Sequence, residues 1–299
     1  MKIGIDVGGS HVALGIIDNN KLICKKEQNY LFYNEDMSEI VLETIIGLIY
    51  KTINQYKIEK KDIDLIGVTF PGTVSNGAVI KAENLGIENL QIEKEIKKEF
   101  NTKILLQNDA KSAAKAEKEY GSLKNYEDAL FLIIGTGVGG AAFLGGNLLV
   151  PKRYSGFEVG HMVIEKDGEK CNCGRKGCFE AYSSMKRLKQ KIQKEFNLPD
   201  IDGKNIKKFM LENQENKKLN SILDTYIDYL SIGICNLINI FEPEIISIGG
   251  SFAYYKEILL DRLEEKLQER KELYNKDTIP KIVVAKLKND AGIIGAVIK

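Results

Sequence analysis

Between residues 158 and 180 the chain places Glu158, His161, Cys171, Cys173, Cys178 and Glu180. One imidazole and three thiols so close together make a four-donor tetrahedral set, the S₃N combination that Zn²⁺ takes in structural sites. Cys171 and Cys173 are separated by one residue, a spacing poorly suited to a disulfide between them. Gly174 and Gly177 let the backbone wrap tightly around a metal. Free thiols or an iron–sulfur cluster are the other readings of the same residues. Cys24 and Cys235 stand alone in apolar stretches and read as small core residues. Five cysteines, an odd number, argue against a disulfide framework.

Two glycine-rich turns offer a second kind of chemistry. Asp6-Val7-Gly8-Gly9-Ser10 and Gly135-Thr136-Gly137-Val138-Gly139-Gly140 each follow a strand pattern, and such turns expose N–H groups that cradle phosphate oxygens. Neither is a Walker loop, because no Gly-Lys-Ser/Thr follows. Neither fits a dinucleotide fingerprint, because each turn enters a second strand and not a helix. An acid at the end of the first strand, Asp6, could hold Mg²⁺ through water, as phosphoryl transfer requires. A second acid, Asp109, lies in Asn108-Asp109-Ala110, where a strand pattern gives way to a helix pattern. Asp is favoured there simply as an N-cap. Catalytic groups also gather at the C-terminal ends of such strands.

The elements that must position these groups alternate between strands and helices. Lys2 to Val7 reads as a strand, Val12 to Ile17 as another, with a third near Leu22; residues 37–56 show helical periodicity. A buried strand from Ile63 to Phe70 ends in Pro71-Gly72. A helix near 91–99, a strand at 103–107 and an Ala-rich helix at about 110–119 follow. The strand–glycine–strand pattern returns about 130 residues later with Leu130 to Ile134 and Ala141 to Leu144, which predicts two related α/β halves. A long helix carries Leu223, Tyr226, Leu230, Ile234, Leu237 and Phe241. A strand from Ile245 to Ile248 then runs into Gly249-Gly250-Ser251, a last strand spans Ile282 to Ala285, and an apolar helix closes the chain at about 290–298. The expected division is an N-terminal lobe of 1–118 joined by the helix at 290–299, and a C-terminal lobe of 119–289 carrying the metal loop at 158–180.

Composition narrows the class further. The 299 residues carry 43 basic and 42 acidic side chains, so no broad nucleic-acid surface is expected. The first residues lack the pattern of a secretion signal, and no apolar run approaches the roughly 20 residues of a membrane span. A cytoplasmic enzyme with no nucleic-acid or membrane partner is the expectation.

In this order the motifs resemble those of the ROK family of repressors and sugar kinases: Asp6-x-Gly-Gly-Ser, Pro71-Gly72, Glu83-Asn84-Leu85, Asn108-Asp109-Ala110, Gly135-Thr-Gly-x-Gly-Gly, Glu158-x-Gly-His161 and Cys171-x-Cys-Gly-x-x-Gly-Cys-x-Glu180. The resemblance runs from residue 3 to about 297. It implies an α/β actin-like ATPase (ribonuclease H-like) fold of two lobes with a central cleft, a homodimer, and transfer of the ATP γ-phosphate to a sugar hydroxyl. Carried over, Asp109 becomes the general base, with Asn108 holding the sugar beside it. Asn84, Glu158, His161 and Glu180 bond sugar hydroxyls. Gly8, Gly9, Ser10, Gly135, Thr136, Gly137, Gly139 and Gly140 hold phosphates, Gly249 and Gly250 border the adenosine, and His161, Cys171, Cys173 and Cys178 hold a structural Zn²⁺. ATP, Mg²⁺ and Zn²⁺ are thus the implied cofactors. The sequence departs from the family pattern where Ser10 replaces the usual Thr and Glu83 the common Pro.

By analogy the implied sugar is glucose, phosphorylated at its 6-hydroxyl. Fructose, N-acetylmannosamine, N-acetylglucosamine and allose are alternatives that the Glu158–His161–Glu180 set shares. A sugar-responsive regulator would carry a helix-turn-helix segment of roughly 60–80 residues ahead of the first strand, and here that strand starts at residue 2. An activator of an iron–sulfur dehydratase would need subunit-bridging cysteines.

Overall fold

The computed structural model describes residues 1–31, 36–151, 156–270 and 279–299. It divides into two compact units: Met1–Gly121 with Val150–Gly156 and Asn289–Lys299, and Ser122–Leu149 with Phe157–Lys288.

The first unit is built on a five-stranded sheet. β1 (Lys2–Val7), β2 (His11–Asp18) and β3 (Lys21–Asn29) form an antiparallel meander, while β4 (Leu65–Phe70) and β8 (Lys103–Asn108) run parallel to β1, giving the order β3-β2-β1-β4-β8. Every residue of β4 is buried, so its β-branched run shows no alternation. Helix α1 (Ser38–Tyr56) turns Ile40, Val41, Thr44, Ile45, Leu48, Ile49, Thr52 and Ile53 inward, the spacing that one helical face requires. A small antiparallel sheet, β5 (Thr73–Ser75), β6 (Ala78–Ala82) and β7 (Ile87–Leu90), precedes helix α2 (Ile92–Glu99) and was not foreseen from the sequence.

The chain's last helix, α9 (Ala291–Ala296), belongs to this unit. It lies against β1 and β4 because Gly4 and Gly67 have no side chains there: a Cβ on either would strike a carbonyl of α9. Its C-terminal carbonyls are satisfied by Gln107, whose Nε2 donates to Gly295 and Ala296 at 3.1 Å and to Ile298 at 3.0 Å. Lys115 in turn donates to Gln107 Oε1 at 2.5 Å. The C-terminus is therefore fastened by the same strand, β8, that ends at Asn108.

The second unit repeats the pattern. β9 (Ala129–Ile134), β10 (Val138–Leu144) and β11 (Asn147–Leu148) form the meander; β12 (Ile245–Gly249) and β13 (Lys281–Val284) run parallel to β9, in the order β11-β10-β9-β12-β13. Each half thus has a tight turn between its first two strands and two further parallel strands on the same side. Helix α3 (Asp109–Tyr120) belongs to the first unit. Around the second sheet lie α4 (Phe179–Ser183), α5 (Met185–Glu195), α6 (Gly203–Glu212), α7 (Lys217–Phe241) and α8 (Lys256–Glu269). Their core gathers Leu130, Leu132, Phe179, Leu188, Tyr226, Leu230, Ile234 and Phe252, among others.

One boundary differs from the sequence reading in a way that matters. The second glycine turn was expected to span Gly135 to Gly140, but β10 already begins at Val138. Gly139 and Gly140 pair with Ile133 and Leu132 inside the ladder. Glycine weakens a strand without forbidding it, and the hydrogen-bonded register decides.

Candidate functional site

In the first unit, the turn between β1 and β2 closes with Gly8 N–H donating to the His11 carbonyl at 2.9 Å. The Tyr30 hydroxyl donates to the Gly8 carbonyl at 2.9 Å and pins the turn from β3's end. Gly9 is exposed, with no atom within 4 Å of where a Cβ would stand, and its φ is not left-handed. Neither packing nor conformation requires glycine there. Asp6 is the next-to-last residue of β1, and Thr69 Oγ1 donates to its Oδ1 at 2.6 Å. Burial lifts its carboxyl above the ordinary range, against that hydrogen bond and the attraction of His11 and Lys25. A cation beside it would restore the ionised form. The carboxylate has room only because Gly292 of α9 lacks a side chain.

At the end of β8 the structure separates two roles that the sequence had merged. Asn108, not Asp109, is the N-cap of α3: its Oδ1 accepts from Lys111 N–H at 3.2 Å, and its Nδ2 donates to the Gly72 carbonyl at 3.0 Å. Asp109 is the first helical residue, and its Oδ1 accepts from Ala110 N–H at 2.8 Å. The expectation that Asp109 serves as the cap is therefore corrected, and its carboxylate does not carry the capping bond. Asn84 sits exposed in a single turn of 3₁₀ helix, Glu83–Leu85, between β6 and β7. Glu83 pairs with Lys81 at 2.8 Å across the same exposed surface.

In the second unit the metal-ligand candidates converge. His161, Cys171, Cys173 and Cys178 bring their donor atoms within 4.8 Å of one another. The Cys171 sulfur lies 3.7 Å from His161 Nδ1 and the Cys173 sulfur 3.7 Å from that of Cys178. Metal–sulfur bonds of about 2.3 Å arranged tetrahedrally put neighbouring sulfurs about 3.8 Å apart. The donor set fits Zn²⁺, and a 3.7 Å separation is far outside a disulfide. Cys171 N–H donates to the Arg175 carbonyl at 2.8 Å, closing a small loop, and Gly177 N–H donates to the Glu169 carbonyl at 2.9 Å. Gly177 has φ +74° and lies so close to the Glu165 carbonyl that only glycine fits. Burial pushes the Cys173 thiol up, but hydrogen bonds from the Arg175 backbone and side chain and from the neighbouring thiols outweigh it and bring it to about 6. Burial and its two sulfur neighbours push Cys178 to about 12. Without a cation the cluster thus resists a second thiolate; a divalent ion removes that resistance.

His161 ends a short 3₁₀ turn, Val159–His161, immediately after Glu158, which is exposed. With Nδ1 on the thiols, Nε2 is the ring's remaining nitrogen. Glu180, two residues into α4, accepts from Val138 N–H through Oε2 at 2.9 Å, and its Oε1 is 3.9 Å from the Cys171 sulfur. The turn it touches is Gly135-Thr136-Gly137, closed by Gly135 N–H donating to the Gly137 carbonyl at 2.9 Å. Gly135 resembles Gly9: its nearest potential contacts are 3.9 Å away, on Ser251. Gly249 and Gly250 are different. Gly250 has φ +71° and a Cβ on it would crowd the Ile134 carbonyl at 2.6 Å, so packing alone accounts for it. Sequence reasoning missed the link between Glu180 and Val138, which joins positions 42 apart and leaves no local signal. Among the described residues no helix is long and apolar enough to cross a membrane.

Two matching five-stranded sheets, each with a glycine turn between its first two strands, define an α/β protein of the actin-like ATPase fold. The chain belongs to the ROK family, whose family model matches residues 2–298. It is 29% identical over 313 residues to a glucokinase of Thermotoga maritima, a match spanning 98% of this chain and 95% of that protein. It is also 28% identical over 314 residues to a xylose repressor of Caldicellulosiruptor bescii, spanning 99% of this chain and 76% of the repressor. A ROK hexokinase of Thermus thermophilus superposes with a TM-score of 0.79 at 26% identity, covering 98% of this chain and 95% of that one.

Proposed function

We propose that the protein is an ATP-dependent sugar kinase that phosphorylates glucose at its 6-hydroxyl. The observation that carries this reading is the position of Asp109: a carboxylate on the first residue of α3, directly after the C-terminal end of β8, with the helix cap made by Asn108. Relatives named glucokinases and a ROK hexokinase structure support the class.

On this reading Asp109 accepts the proton of the attacking hydroxyl as the bond to phosphorus forms. Asn84, Asn108, Glu158, His161 and Glu180 bond the sugar's hydroxyls and orient the one that reacts. The turns Gly8-Gly9-Ser10 and Gly135-Thr136-Gly137 hold the nucleotide's phosphates through the N–H groups of Gly9, Ser10, Thr136 and Gly137, while those of Gly8 and Gly135 close the turns. Gly249 and Gly250 border the adenosine. Asp6 is the group that would hold Mg²⁺ through water; that ion, when bound, neutralises charge on the phosphates. His161, Cys171, Cys173 and Cys178 would hold Zn²⁺ as a brace, since four protein donors leave it no position for a reactant.

The glycine at position 9 gives a direct check. Gly9→Ala meets nothing in the folded chain, so the melting temperature should stay within about a degree, while ATP affinity should fall about tenfold or more as the methyl blocks phosphate approach. Calorimetric titration beside a melting curve reads both; unchanged affinity would remove the turn from the nucleotide site.

Sugar choice is tested by ADP release over a panel of hexoses and N-acetylhexosamines. A sugar that leaves one buried polar group unpaired loses about 1–3 kcal/mol, or roughly ten- to hundredfold in kcat/KM. Glucose should therefore exceed fructose and N-acetylmannosamine. An N-acetylhexosamine ahead by tenfold would replace the glucose reading and keep the kinase.

The likeness to xylose repressors favours a second reading, a sugar-sensing regulator. It would bind sugar in the same panel and release no ADP with any of them.

A further inference from the structure

Glu180 was expected to face a sugar, yet one of its two oxygens is already committed. Oε2 accepts from the Val138 N–H at 2.9 Å, at the point where the second glycine turn becomes β10. Gly137 packs so closely on this carboxylate that a Cβ there would collide with it. The other oxygen, Oε1, lies 3.9 Å from the sulfur of Cys171.

The chain around Glu180 makes the arrangement stiff. Cys178, one of the four metal-ligand candidates, is the N-cap residue of α4, and Glu180 stands two positions later. Phe179 N–H donates to the Met162 carbonyl at 2.8 Å, tying the start of α4 to the segment that follows His161. Beyond α4, Ser184 caps α5, and the Lys186 N–H donates to the Gly135 carbonyl at 3.2 Å. The turn is thereby gripped at both ends, at Gly135 by α5 and at Val138 by Glu180. Both grips hang from a segment that begins at Cys178.

We infer that Glu180 is a positioning residue for the Gly135-Thr136-Gly137 turn, and that through it the filling of the His161–Cys171–Cys173–Cys178 cluster sets the affinity for the nucleotide's phosphates. A half-buried carboxylate acceptor fixes an amide more firmly than water can. With the cluster filled, Cys178 and α4 hold still and the carboxylate keeps the turn shaped. With it empty, the anchor of α4 is loose, and the turn's N–H groups lose their common aim. The inference rests on the reading that this turn holds phosphates, and it adds a dependence of that site on a metal cluster that touches no nucleotide.

Three variants and two readouts test it. The probe is the magnesium complex of adenylyl imidodiphosphate, titrated without sugar, so that a defect in sugar binding does not register. The second readout is amide exchange across residues 135–140. Glu180→Ala should speed exchange there and weaken the probe about tenfold, with zinc content unchanged. Glu180→Gln keeps a carbonyl that can accept from Val138 and should retain most of the protection and affinity. Cys173→Ser should reproduce both defects of Glu180→Ala although Glu180 is intact. Normal exchange and normal probe affinity in Glu180→Ala would overturn the role of Glu180. Metal loss in Cys173→Ser with neither readout moved would overturn the coupling, as would a Gln variant as defective as Ala. Failure of the unmodified protein to bind the probe is a separate result: it would overturn the phosphate reading of the turn, and the effect on nucleotide with it.

Discussion

Asp109→Asn is expected to lower turnover by a factor of about 10²–10⁴ while leaving the fold in place. The substitution is isosteric. Its amide oxygen can still accept from Ala110 N–H, the bond that Asp109 Oδ1 makes at 2.8 Å. The helix cap belongs to Asn108 and is untouched. What stability is lost comes from removing a negative charge at the first turn of α3, about 0.3–1 kcal/mol. An amide, however, does not take a proton from an alcohol at neutral pH. ATP and sugar should bind nearly as before, and sugar slightly more tightly if the carboxylate is partly desolvated when the sugar is bound. Turnover, calorimetry and a melting curve on one preparation separate these effects. Near-normal turnover would end the assignment of Asp109 as base.

The second large effect concerns the metal. Protein purified without added metal should contain close to one zinc per chain by elemental analysis, and Cys173→Ser should contain little. Three donors remain in that variant, but the thiol most readily ionised, held at about 6 by Arg175 against its burial, is gone. Loss of a structural metal removes several kcal/mol of folding free energy. For a unit of this size that corresponds to a melting temperature lower by about 5–10 °C. Sugar affinity should fall as well, because His161 and Glu180 are set by the same loop. Metal-free protein that melts and binds sugar as before would show that the cluster braces nothing.

Much of this site was legible before any coordinates, for a physical reason. A metal loop closes over a short stretch of chain, so its four donors announce themselves as a local pattern. The glycine turns are equally local, and α1 is long and strongly one-sided, so its periodicity gives it away. Elements with little apolar content were harder. Helix α5 buries only Met185, Leu188 and Ile192, and β5 is three residues long. Neither carries enough pattern to stand out from its flanks. The one-residue shift at α3 could not be read because Asn and Asp are equally good caps, and only the bond from Lys111 N–H to Asn108 decides between them. Gly139 and Gly140 read as turn because glycine is a poor strand former, yet their partners on β9 hold them in the sheet. The bond from Val138 N–H to Glu180 lay deepest: the resemblance implied a ligand for sugar hydroxyls, and nothing in the sequence near Glu180 points to an amide 42 positions earlier.

The reading of this chain as a kinase stands or falls on where a phosphoryl group goes. Incubation of the purified protein with γ-labelled ATP, Mg²⁺ and glucose, followed by separation of the products, reads this directly. The label should appear on the 6-oxygen of glucose, one for each ADP formed, with none transferred when glucose is left out. Glucose bound at equilibrium with no labelled sugar, whether the label stays on ATP or is released as inorganic phosphate, would contradict it.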